Sequence, residues 1–505
     1  MNDTVRRGGF GRGAALVAAI LGWLFDGFEM GLFPIIGGPA IKDLLGASAS
    51  AEQANQWFGA IIAVFLVGAA TGGVLFGWLG DRIGRVRAMS LSIFTYAIFT
   101  GLCGLATEAW HVAALRFVAS LGMGGEWSLG VALVNEIWPG KSRAVTAGLI
   151  GAAANVGFLL VALLSLVLAG FIEWTRGALL AVGLPGPTVA SLVANSAWRL
   201  LMISGALPAL LIFLIRIWVP ESEKWQAEKD RGATSHWANV DLIGVLVGAV
   251  AALVIIWGWS PAGTASGIQW PAATLITVIG LAVALAGYLH PVRRYLARAT
   301  ASHSLASTDA GAVVARMLFG ASLAGVALLG TWGAIQWMPR WAIELGGSDH
   351  PQAKEYTQIA TALGATLVTF LTALAADWLG RRPTYTLMCL GTILSAIVLY
   401  QTNTSFGWWF LGCAFVTGGV SASFYGFFPL YFPELFPTAV RATGQGFAFN
   451  FGRIIAAIGG LQTATLMGIF GGSFPMAGSV LAAIYLVGVV LIWFGPETKG
   501  RSLPD

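Results

Sequence analysis

The sequence GWLGDRIGRVR at residues 77–87 returns in shortened form as ADWLGRR at residues 376–382. Each copy closes an apolar stretch and opens a basic one, with an acid four residues ahead of an arginine: Asp81 before Arg85, Asp377 before Arg381. Two further patterns repeat in the same order. Glu136-x-x-Pro139-x-x-x-Arg143 recurs as Glu434-x-x-Pro437-x-x-x-Arg441, and Pro220-Glu221 recurs as Pro496-Glu497. The spacing is near constant for the first two and shorter for the third, which assigns the surplus of the first half to a loop over 171–197. Three motifs in one order imply two related halves. A parallel repeat of this kind encloses a chamber between the halves near the bilayer midplane.

Working outward, the composition requires a membrane. Of 505 residues 57% are hydrophobic and 10% charged, against about 25% charged in an ordinary soluble domain. The 67 Gly and 21 Trp suit helices packed closely in lipid with indoles at the interfaces. A net charge of +5 comes from Lys and Arg gathered in short loops and gives no reason to expect nucleic acid. The three cysteines, Cys103, Cys389 and Cys413, fall in apolar stretches and offer neither a disulfide framework nor metal-ligand spacing. Arg6, Arg7 and Arg12 before an apolar run imitate a secretory signal, with Ala47, Ala49 and Ala51 as its cleavage site. That run is long enough to span and holds Asp26 and Glu29, so it reads as the first transmembrane helix.

A spanning helix takes roughly 20 mostly apolar residues, and fourteen stretches qualify: 14–37, 57–79, 87–106, 112–134, 144–170, 198–219, 240–259, 272–289, 312–336, 357–377, 384–401, 408–431, 443–468 and 474–494. Backbone groups in lipid must bond internally, so these are helices, and no period-2 barrel pattern competes. Arg82, Arg85 and Arg87, Lys141 and Arg143, Lys224, Lys229 and Arg231, Arg293, Arg294 and Arg298, Arg381 and Arg382, and Arg441 all fall in alternate gaps. Both termini are therefore expected in the cytoplasm of a multi-pass inner-membrane protein. Subtracting two six-helix halves leaves 240–259 and 272–289 as an inserted pair, its turn marked by Trp257, Trp259, Pro261, Gly263 and Trp270. The expected organisation is a bundle over 1–222, a linker with the extra pair over 223–311, and a second bundle over 312–505.

These residues resemble the major facilitator superfamily across nearly the whole chain. The stretches 77–87 and 376–382 are similar to its loop motif after the second helix of each half. Pro220-Glu221-Ser222 and Pro496-Glu497-Thr498-Lys499-Gly500 resemble signatures of the sugar-porter branch. Asp26-Gly27-Phe28-Glu29 looks like the Asp-Gly-Phe-Asp motif of aromatic-acid and other metabolite:proton symporters, with Glu in the last place. Arg116 to Gly122, Gly124, Glu126, the Gln336 segment and the inserted pair resemble sialate:proton symporters, and Asn450-Phe-Gly452-Arg453-Ile454 is similar to a helix of organic-acid porters. The resemblance implies an all-α fold of two six-helix bundles that works by alternating access.

Charges within the hydrocarbon cost at least roughly 2.5–3.5 kcal/mol each and need a reason. Asp26 and Glu29, three apart, share a helix face. Two carboxylates that close compete for ionisation in a low dielectric, as a proton-coupling pair must; the plain alternative is a fixed ion pair with Arg116. That arginine stays charged and needs a carboxylate or an anionic ligand. Glu126 lies further along the same helix and joins the proton-coupling set. Arg453 has no acid near it on its own helix, and its planar fork suits a substrate carboxylate; its plain alternative is a capped backbone break. Gln336, Asn155, Asn450, Gln445 and Gln462 offer hydrogen bonds, and Phe28, Trp127, Trp332 and Tyr425 offer flat walls. Asp81, Arg85, Glu136, Arg143, Asp377, Arg381, Glu434 and Arg441 are expected to form a cytoplasmic gate of charge pairs at helix ends.

No nucleotide loop and no His-Glu-x-x-His occur, and Gly122-x-Gly124-Gly125 lies in an apolar helix without a βαβ unit. No enzyme, cofactor or metal is expected. The reading is a proton-coupled importer of a small organic anion such as a sugar acid, sialate or aromatic carboxylate. It takes a small molecule, protons and the lipid bilayer as partners and is expected to work as a monomer. A neutral sugar or polyol porter is the alternative; an exporter and a non-transporting membrane sensor rank below it.

Overall fold

A computed structural model describes residues 2–46, 49–138, 142–302, 310–335, 337–461 and 467–504. Gln336 and Gln462 lie outside them. The described chain is helical, and thirteen of its stretches are long and apolar enough to cross a membrane. The first bundle contains α1 (Asn2–Leu45), α2 (Ala51–Ile83), α3 (Arg85–Cys103), α4 (Ala109–Ile137), α5 (Arg143–Ala181), α6 (Gly186–Ser204) and α7 (Leu211–Trp218). After the short surface helix α8 (Glu223–Asp230) come α9 (Leu242–Trp259), the one-turn α10 (Pro261–Ala265) and α11 (Trp270–Ala301). The second bundle holds α12 (Ala310–Gly330), α13 (Met338–Gly346), α14 (Ala353–Leu379), α15 (Arg381–Thr402), α16 (Trp408–Ala422), α17 (Phe424–Tyr431), α18 (Arg441–Asn450) and α19 (Arg453–Leu461). It ends with α20 (Phe474–Leu481) and α21 (Ile484–Leu491).

Two expectations change. The residues 171–197 are not a loop: α5 runs unbroken for 39 residues, ~58 Å at 1.5 Å per residue, and α6 begins at Gly186. Glu173 and Arg176 pair at 3.6 Å on the exposed face of α5. The stretch expected to span over 443–468 is interrupted within its described part, 443–461, and 462–466 lie outside the described residues. It stops at Asn450, turns through Phe451 and Gly452, and restarts at Arg453. Glycine makes such a break inexpensive, and the break brings an arginine to the first turn of α19.

The bundles meet along a seam of small residues between α2 and α18. A Cβ at Gly446 would stand 2.1 Å from the carbonyl oxygen of Gly73, so only glycine permits these backbones to approach so closely. The inserted pair rests on the same seam. Tyr288 of α11 shares a 2.8 Å hydrogen bond with the Thr71 hydroxyl of α2 and meets the Phe451 ring edge-on at 6.2 Å. Trp259 and Trp270 pack edge to face at the pair's turn.

At the face carrying both termini, the repeated motifs build matching corners. Gly84 and Gly380 turn the chain with φ of 108° and 104°, a region favouring glycine. Glu221 then accepts the amides of Arg85 and Val86 at 3.0 and 3.1 Å, and Glu497 those of Arg381 and Arg382 at 3.0 Å each. The corners differ in burial. Burial pushes the Glu221 carboxyl up despite these bonds. At Glu497 partial burial acts the same way but is outweighed, and the amides of Arg381, Arg382 and Lys499 hold the carboxyl below its ordinary value. A Cβ at Gly84 would stand 2.3 Å from Glu221, whereas at Gly380 it would stand 3.0 Å from Glu497. Gly84→Ala should therefore cost more than Gly380→Ala, about 1–3 kcal/mol from the backbone alone plus a displaced cap. Thermal unfolding of the two detergent-solubilised variants should give the lower midpoint for Gly84→Ala.

Candidate functional site

A buried cluster of ionisable and aromatic residues draws on both bundles. From α1 come Trp23, Asp26 and Glu29; from α4 Arg116, Glu126 and Trp127; from α17 Tyr425; from α18 Phe449; and from α19 Arg453. Asp26, Glu29, Arg116, Glu126 and Arg453 are all buried. Glu29 and Arg116 pair at 2.5 Å, leaving Glu29 Oε2 and Arg116 Nε without partners, and the guanidinium lies over the rings of Phe33 and Phe65. The pair joins α1 to α4. Asp26 is different. Neither of its oxygens has a hydrogen-bond partner, nor has either oxygen of Glu126, nor the Nε and Nη1 of Arg453. Asp26 lies in electrostatic range of Glu126, Glu29 and Arg453 without a hydrogen bond to any of them. Isolated buried charge is costly enough that such groups mark ion or substrate pathways.

Aromatic rings wall this cluster. Trp127 and Phe449 stack across the bundles at 3.9 Å, Trp23 meets both rings, and Tyr425 meets Phe449 at 6.2 Å. The Arg453 guanidinium lies 5.7 Å from the Phe449 ring. The sequence reading found Trp127 and Tyr425 but missed Trp23 and Phe449. Helical spacing could have found them, since Trp23 precedes Asp26 by three positions and Phe449 precedes Arg453 by four.

Other expected site residues have different tasks. Phe28 packs in a separate apolar cluster with Leu32 and Phe33. Asn155 donates to the Thr369 hydroxyl at 3.2 Å, joining α5 to α14. Asn450 donates to the carbonyls of Gly124 and Gly446, both at 3.0 Å, and Gln445 donates to that of Ser128. These amides tie the two bundles together.

Toward the terminal face, a charge network crosses between the bundles. Arg85 pairs with Asp81 at 2.7 Å and Glu136 at 3.1 Å, and donates to the Thr438 carbonyl at 2.8 Å. Arg441 pairs with Glu136 at 2.8 Å. Arg143 approaches Glu434 at 3.7 Å. Arg143 and Arg441 thus reach the acid of the other half, not the one in their own motif, while Arg85 pairs within its own half. Asp81 also accepts the amides of Ala442 and Thr443 at 3.1 and 2.8 Å, capping α18, an anion at a helix N-terminus. Its counterpart Asp377 is 56% exposed and lies 3.7 Å from Arg381. Arg381 binds Glu434 within its own half at 2.6 Å.

A helical membrane carrier of two related bundles, with buried ionisable groups at its centre and ion pairs crossing between the bundles at one face, is the class this arrangement defines. The chain belongs to the sugar (and other) transporter family, whose model matches residues 14–237 and 344–505; the unmatched middle contains the inserted pair. It is a major facilitator transporter. Among similar proteins, the cis,cis-muconate transport protein of Acinetobacter baylyi is 27% identical over 443 residues, covering 86% of this chain and 84% of that one. The niacin transporter of the same organism is 24% identical over 484 residues, covering 96% and 93%. The fold matches the proton:xylose symporter XylE with a TM-score of 0.66 at 18% identity, over 98% of each chain.

Proposed function

We propose that the protein imports a small organic anion together with protons, by alternating access between bundles 1–222 and 312–505, from an inner membrane with both termini in the cytoplasm. The observation carrying this reading is Arg453: a buried guanidinium with unpartnered donors, beside the stacked Trp127 and Phe449, opposite the unpartnered Asp26. A planar fork next to flat apolar walls suits a carboxylate on a compact body, such as a sugar acid, sialate or aromatic carboxylate. The muconate and niacin transport named for two relatives supports the same substrate class. Asp26 and Glu126 carry the protons, Glu29 with Arg116 holds helix 1 to helix 4, and the crossed pairs form the cytoplasmic latch in a protein working as a monomer.

Proteoliposomes given an inward proton gradient should accumulate one or more of labelled nicotinate, cis,cis-muconate, N-acetylneuraminate and galacturonate. Asp26→Asn should only equilibrate that anion, losing the gradient-driven excess. Accumulation of xylose and of none of the acids would replace this reading with a neutral sugar porter.

A further inference from the structure

The surroundings of Glu126 point to a second route through the molecule. The residue belongs to α4, yet its carboxylate lies against the backbone of α1, where a Cβ at Gly22 would stand 1.7 Å from its Oε1. Gly22 is therefore a positioning residue: it lets the carboxylate onto α1 one turn before Asp26. Glu126 is 4% exposed, and neither oxygen has a partner.

The carboxylate borders a cavity of about 10 Å³ whose other walls include Ala19, Trp23, Met89, Trp127, Gly130 and Ile150. That space holds about one water and no organic anion. Trp23 and Trp127, which line the cavity, also have buried indole N–H groups without partners, and the Glu126 carboxylate is an acceptor at its border. Every wall residue belongs to α1, α3, α4 or α5. None comes from the second bundle. Ala19 lies seven residues before Asp26, ~10 Å along α1 toward the terminal face, and Met89 is in the first turns of α3 from that face. The titratable groups around Glu126 are Asp26 of α1 and Tyr96 of α3, with Glu29, Arg116 and Arg453 beyond Asp26.

We propose that Glu126 is a second proton site served by a water in this cavity, so that protons leave toward the terminal face through the first bundle while the anion leaves between the bundles. The Asp26 carboxylic acid gives its proton to the Glu126 carboxylate. Glu126 passes it to the cavity water, which releases it toward the terminal face, and both carboxylates are regenerated. This rests on the symport reading above and separates two routes that reading leaves joined.

Gly130→Ala tests it. The added Cβ would meet Ala19 Cβ at 3.4 Å and Met89 Sδ at 3.9 Å, ordinary contacts that fill the space without moving its walls. Two rates are measured in proteoliposomes with the fastest accumulated anion of the four: uptake driven by a proton gradient, and exchange of internal for external anion at equal pH, which needs no net proton release. Gly130→Ala and Glu126→Gln should lose driven uptake by at least about tenfold and keep exchange within about twofold of the parent. Full driven uptake in Gly130→Ala overturns the route, and so does an equal loss of exchange, which marks a packing defect. Absence of driven uptake in the unaltered protein overturns symport itself, a result distinct from either.

Discussion

Arg453→Ala should lose binding of the transported anion by roughly 30-fold to several thousand-fold, the equivalent of about 2–5 kcal/mol for truncating one partner of a buried charge contact. The guanidinium is buried and two of its nitrogens are unpartnered, so a carboxylate entering there gains bonds that compete with no existing protein bond. Arg453→Lys keeps the charge but loses the fork, since a lysine is a point charge that cannot bond both oxygens in one plane. It should recover only part of the affinity. Asp26→Asn in the Arg453→Ala background should raise thermal stability above that of Arg453→Ala alone, because it removes a buried anion whose nearby opposing cation has gone. Equilibrium binding of labelled anion to the detergent-solubilised protein measures the first effect and thermal unfolding the second. Unaltered binding by Arg453→Ala would falsify its substrate role.

The sequence made the membrane helices and the repeat legible because each is written locally. Apolar runs have a length that lipid dictates, and Asp81-x-x-Gly84-Arg85 and Asp377-x-x-Gly380-Arg381 carry their own corner. The broken helix was less legible: 443–468 is apolar enough to span, and only the close approach of other helices decides that Gly452 becomes a turn. The charged positions of the site could be read, since an intramembrane Asp26, Arg116 or Arg453 stands out against its surroundings. Their partners could not. Spacing pairs Glu136 with Arg143 and Glu434 with Arg441 equally well within each motif, yet in three dimensions the arginines cross to the opposite half. A repeated motif states which groups lie at one depth and leaves open which copy they face. Glu221 and Glu497 were visible as a repeat, but their work as caps appears only when α7 and α21 return the chain to the Gly84 and Gly380 corners.

That crossing makes Glu136 the residue whose loss should most change the conformational equilibrium. Among the described residues it alone pairs with both Arg85 and Arg441, one from each bundle, and all three side chains are fully buried. Glu136→Gln leaves the buried Arg441 beside a neutral amide, while Arg85 keeps only Asp81 at 2.7 Å, a penalty of about 3–5 kcal/mol for breaking a buried pair. Opening the terminal face returns both arginines to water and relieves it. Reversing a population from 1:99 to 99:1 takes about 5.5 kcal/mol, so this one change supplies most of a full switch toward the open state. Glu434 should matter less to opening, because its tightest partners, Arg381 at 2.6 Å and the Thr498 hydroxyl at 2.6 Å, lie in its own half. Asp377→Asn should matter least: an exposed pair at 3.7 Å contributes at most about 1 kcal/mol. A cysteine replacing Ser128, buried where α4 faces α18, reports the opening once Cys103, Cys389 and Cys413 are exchanged for alanine. Its maleimide labelling from the terminal side should accelerate more than about tenfold in Glu136→Gln and stay at the parent rate in Asp377→Asn. Equal rates in the two variants would mean that the crossed pairs fix helix ends without governing which face of the carrier is open.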